Sequence, residues 1–211
     1  LLVYGGLTAF AAHQLLLWFG VRERLALHLA ATAIFIALSH ALSSGLDEFA
    51  LPARLDPWHA ELATAMPLLA LGALMSLGRG YLGRAAQGTG IEHAMKAIVV
   101  AALIGAGTAP AWGAAAEAPW IVSAIGIAAL VVVAAAAVQI ERGIRRRPRH
   151  AWLIALALMM LAAGLALRPH RFDQTGMWPE YALQLGTLAA LLALGYAVAS
   201  RGQLARRERR M

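Results

Sequence analysis

Residues 36–61 read IALSHALSSGLDEFALPARLDPWHAE. They hold the end of one apolar run and the start of another, separated by Asp47, Glu48, Asp56 and Pro52. Each flanking run is about as long as a helix needs to cross a hydrocarbon core of ~30 Å at 1.5 Å per residue. Two apolar helices joined by a short polar hairpin are therefore expected, and the same alternation repeats along the chain. The predicted fold is an all-α, polytopic membrane bundle.

Composition agrees with that reading. Of 211 residues, 61% are hydrophobic and only 14% charged, against about a quarter charged in soluble domains. Cysteine is absent, which excludes disulfides, thiolate-held metals, iron–sulfur clusters and covalently attached c-type haem. A net charge of +7 would suggest nucleic acid in a soluble protein. Here the arginines stand beside apolar runs, so they imply topology and anionic headgroups instead, and no nucleic-acid partner is expected. Leu1 lies inside an apolar run with no initiator Met, which leaves room for residues upstream. No small-residue cleavage site follows it, so a cleaved signal peptide is not expected.

Seven spans are placed at about 1–20, 25–45, 61–78, 92–112, 119–140, 150–167 and 180–200, forming one domain over 1–211. Their connections sort by charge. All of the 18 Lys and Arg residues except Arg54, Arg168 and Arg171 fall on one side, in VRER, RGYLGRAAQGTG with the adjoining Lys96, ERGIRRRPRH and the tail from Arg201. The opposite side takes Asp47, Glu48, Asp56, Glu61, Glu117, Asp173 and Glu180. The positive-inside rule then puts the amino end outside and the carboxyl end in the cytoplasm of a prokaryotic plasma membrane. Trp58, Trp112, Trp120 and Trp178 fall at outer span ends, as an interfacial aromatic belt requires.

The outer side also gathers groups able to bind metal. His40 ends span two, His59 begins span three, and His170 and Asp173 precede span seven, with Asp47 and Asp56 nearby in sequence. Imidazoles with a carboxylate or water can hold zinc and activate a bound water. The bland alternative makes His59 and His170 loop residues, and His40 a helix histidine bonded to Ser44 or a neighbouring helix. Among these, His40 carries most interest, because an ionisable group inside a span faces a cavity or a partner. On the opposite side, His13, His28, His93 and His150 offer single-haem ligation. A two-haem arrangement fails, since only span two carries histidines at two depths. Lys96 lies on span four, near its arginine-rich end, so retinal Schiff-base chemistry is excluded. It follows Glu92 by four residues, a spacing that pairs the two on one helix face. No G-x-S-x-G, H-E-x-x-H or phosphate-binding glycine loop is present.

Two windows carry a family resemblance. ALSHALSSGLDEFALP, with His40, Asp47, Glu48 and Pro52, and RFDQTGMWPEYALQLGTLAALLALGYAV, with Asp173, Thr175, Gly176, Trp178 and Gln184, resemble the alkaline ceramidase superfamily, which includes the progestin and adiponectin receptor-like proteins. The resemblance implies a seven-span zinc hydrolase acting on a lipid amide, with one histidine ligand at the end of span two and an H-x-x-x-H pair on span seven. Span seven here has no histidine, and Ile36 stands where that family has a serine. The resemblance thus implies a scaffold that has lost its metal.

The reading these features favour is a seven-span accessory or assembly subunit, or a lipid-binding scaffold, working with membrane-protein partners and without catalysis or cofactor of its own. A divergent zinc-dependent lipid amide hydrolase is the alternative, using His40, His59 and His170 with Asp47, Asp56 or Asp173. A b-haem protein comes third.

Overall fold

The computed structural model describes residues 2–22, 24–43, 58–82, 90–112, 118–142, 156–162, 184–197 and 199. These are helical except for Arg22 and Trp58 at helix ends. The helices are α1 (Leu2–Val21), α2 (Arg24–Ser43), α3 (His59–Leu82), α4 (Gly90–Trp112) and α5 (Ala118–Arg142). Two shorter pieces follow, α6 (156–162) and α7 (Gln184–Ala197). Among the described residues, Arg24–Leu42, His59–Gly80 and Gly90–Ala111 are each long and apolar enough to cross a membrane.

Packing centres on α3. Its run PLLALGALMSLG has only Ser76 as a polar side chain, and Leu68, Leu71, Leu74 and Met75 are fully buried. A helix that is apolar all round belongs inside a bundle. Its neighbours are α2, α4 and α5, and at Gly78 also Leu158 of α6. Between helices in a bilayer, burial out of water contributes little, so close van der Waals fit must hold them. Glycines supply that fit. A Cβ built on Gly72 would sit 3.5 Å from Ala102 of α4, and one on Gly80 would lie 2.6 Å from a Leu25 methyl of α2.

These contacts set directions and register. Gly72 faces Ala102 while Gly78 faces Met95, so α3 and α4 are antiparallel. Gly6 faces Leu188, and Gly195 faces Phe10 and Gln14, so α1 and α7 run parallel and pack together. The turn between α1 and α2 is short enough to force them antiparallel. Arg22 closes it at φ 53°, donating its backbone N–H to Trp18 O at 2.7 Å. This is the left-handed C-terminal cap usually given to glycine, here taken by arginine at a cost of roughly 1–2 kcal/mol.

Three details refine this picture. The third span begins at His59 rather than near 61 and runs on to Leu82, so Arg79 is helical instead of lying in a connection. Pro67 is buried inside α3; lacking an N–H, it leaves the Ala63 carbonyl without its helical donor. In α5, Ile127 and Val131 are exposed while Ser123, Ala129 and Val133 are buried, so one face packs and the other is left for lipid.

Candidate functional site

Apolar spans tolerate polar side chains when each finds a partner, because an unpaired polar group in hydrocarbon costs several kcal/mol. Threonine solves this within its own helix. Thr8, Thr32, Thr64 and Thr108 donate their hydroxyls to the carbonyls of Tyr4, His28, Ala60 and Ile104 at 2.8, 2.8, 3.1 and 2.8 Å. His28 does likewise, its Nδ1 lying 2.7 Å from Arg24 O. Such residues need nothing from the rest of the bundle.

A second group of polar side chains is buried between helices. Ser39 and His40 lie near the end of α2, Ser123 near the start of α5, and Gln184 and Thr187 at the start of α7. Each takes part in a polar interaction in the structure. Glu61, in the first turn of α3, buries Oε2 without a hydrogen-bond partner. Contacts between helices bring the α2 and α3 members near one level. Counting along α2 from Leu25 to His40, and equally far back along α3 from its neighbour Gly80, reaches Ala65, beside Thr64. The antiparallel contact of Gly72 with Ala102 places Ala109 of α4 at that level too. The layer lies just inside the end of the bundle that carries the acidic connections.

The opposite end is ionic. Glu92 in the first turn of α4 accepts from Lys96 Nζ at 2.7 Å and lies 3.8 Å from Arg79 Nη2 of α3. The Glu92–Lys96 pairing expected from spacing is therefore present, and Arg79 adds a link between helices that spacing did not suggest. Midway along α1, the buried Gln14 also leaves Oε1 without a partner, beside the tight Gly195 contact.

For the metal reading, two of the three outer histidines are described. His40 is buried and His59 is exposed at the first residue of α3. Asp47, Asp56, His170 and Asp173 lie outside the described residues, and so do Ser44 and the inner His150. Among the described residues, no group of three or more His, Asp or Glu side chains is placed to hold a metal ion. The sequence reading did not single out Ser123 or Thr187, and it named Glu61 only for its charge and Gln184 only for the family resemblance. Their signal was positional: each is a polar residue within about two turns of a helix end on the acidic side.

An all-helical bundle with polar groups layered near one end and ion pairs at the other has the organisation of a multi-pass membrane protein. The chain belongs to the 7TM diverse intracellular signalling family, whose model matches residues 1–201. It is thus a seven-span membrane domain. That family is a different one from the ceramidase superfamily resembled by the windows around His40 and Trp178. Comparison with curated proteins and with solved structures returns no match.

Proposed function

We infer that this chain is the membrane module of a signalling receptor, without catalysis of its own, which relays an event at the acidic end of the bundle to an intracellular partner module. The observation that carries this reading is the family match across residues 1–201, in a family described by its seven spans and its diverse intracellular signalling. Two features of the chain support it. The arginine-rich end has the charge of a cytoplasmic face in a prokaryotic plasma membrane, where its basic runs also meet anionic headgroups. Ser39, His40, Ser123, Gln184 and Thr187 are buried and Glu61 buries Oε2, on four helices near the acidic end, where a change of charge or hydrogen bonding would bear on the packing of each. Partner contact falls to the arginine-rich connections and tail, which is the role expected of an accessory subunit.

A test that separates this from the hydrolase and haem readings is direct. Protein purified in mild detergent is assayed for zinc content, for a haem absorption band and for hydrolysis of a lipid amide. A signalling module gives none of the three at stoichiometric level. Stoichiometric zinc with amide hydrolysis, or a haem band lost on replacing a histidine, overturns it.

A further inference from the structure

His13 stands apart from every other polar residue described within the spans. It lies more than two turns inside α1, about 12 Å along the helix from Val21 at 1.5 Å per residue, well within a ~30 Å core. Its side chain is exposed on the outside of the bundle. Thr8, exposed one turn earlier, bonds back to Tyr4 O, and His28 bonds back to Arg24 O. His13 makes no such bond among the described residues. A neutral imidazole carries one N–H donor and one acceptor nitrogen, and lipid tails offer neither. An ionisable side chain held at this depth calls for a partner.

We propose that two copies of this chain associate in the membrane through the outer face of α1, with the two His13 imidazoles hydrogen-bonded to each other. The occupant follows from geometry and from hydrogen-bond complementarity. Insertion fixes the depth and direction of every copy, so a two-fold axis along the bilayer normal brings α1 against α1 with equal depths facing. A foreign helix would need its own polar group at this depth, whereas a second copy supplies one automatically. A donor and an acceptor on the same ring make the group self-complementary, N–H of one copy to the free nitrogen of the other. The approach is open, for Gly5 and Ala9 precede His13 on one ridge, all three exposed, and Gly5 has no neighbouring atom within 4 Å of an added Cβ. Closely approaching helices in bilayers use such small residues, and polar side chains bond across them. This association is independent of the signalling reading above.

Because the chain has no cysteine, disulfide cross-linking tests it cleanly in the full chain in its own membrane. Ala9→Cys is compared under mild oxidation with Ala101→Cys, which is exposed on the outer face of α4. The expected result is a covalent dimer from A9C several times more abundant than from A101C. Replacing His13 by leucine in the A9C background should lower the dimer roughly three- to twentyfold, and His13→Asn, which keeps a donor and an acceptor, should restore most of it. Equal cross-linking from both faces, or none from A9C, overturns the association. A dimer unaffected by His13→Leu overturns the role given to His13.

Discussion

Arg79 near the end of α3 and Glu92 in the first turn of α4 lie 3.8 Å apart, Nη2 to Oε1. Both belong to helices that join across residues 83–89, so the pair ties the two sides of one connection at the arginine-rich end. Glu92 is the shared member, since the same oxygen accepts from Lys96 at 2.7 Å. Its side chain is only 17% exposed, against 47% for Lys96, so solvent screens the interhelical partner less than the lysine.

Unequal roles for the two cations follow. Lys96→Ala removes an exposed i,i+4 pair and should cost no more than about 0.5 kcal/mol. Glu92→Gln removes both contacts, and should cost about 1 kcal/mol after allowing for the part-exposed Arg79. Thermal unfolding of the two variants in detergent checks the order. A larger loss for K96A than for E92Q would contradict it.

The α1–α7 seam gives a steric prediction. A Cβ on Gly195 would sit 2.8 Å from Phe10 Cε2 and 3.2 Å from Gln14 Nε2, so Gly195→Ala should destabilise by about 1–3 kcal/mol. Phe10→Leu in the same chain should recover part of that loss, because the obstructing ring is gone. Gly107→Ala, with nothing within 4 Å, should be neutral or stabilising. Melting temperatures of the set, read as a double-mutant cycle, test the contact.

How much of this was legible beforehand depended on the kind of signal. Helix positions were, because apolar runs near twenty residues in length are set by bilayer thickness; the ends of α2 at Arg24 and Ser43 fall within two residues of those expected. Membership of the polar layer was not. Ser123 and Gln184 are far apart in sequence, and nothing in their local pattern shows that both are buried. His13 and His40 are both span histidines in the sequence, yet one faces out and the other in. Helix phase decides this, and the small, evenly apolar residues of α1 hide its phase from periodicity.

Orientation is a prediction from charge. Leu55→Cys should react with an impermeant thiol reagent added from outside, and Arg146→Cys should react only after the membrane is opened. The reverse pattern would put the arginine-rich end outside, against the positive-inside rule, and would remove the intracellular partner from that end.

His40 tests whether the buried layer holds the bundle together. It is 6% exposed and engaged in a polar interaction, so His40→Leu should leave its partner unsatisfied and cost about 1–3 kcal/mol. His59→Leu, at an exposed helix start, should cost less. Unfolding measurements on the two variants decide this, and equal losses would place both histidines in one structural unit.

The relay itself is tested most directly by distance measurement across the arginine-rich end while the acidic end is altered. Gly20 and Gly90 are exposed, with nothing within 4 Å of an added Cβ, so nitroxide labels at G20C and G90C report the separation of α1 and α4 without disturbing packing. Glu61→Gln and His40→Leu are then introduced singly in the polar layer, and the distance distribution is recorded by pulsed electron spin resonance in lipid nanodiscs. A bundle that carries signals end to end should show a shifted or newly bimodal distribution in both variants. A distribution unchanged by either substitution, in protein that remains folded, would contradict the account.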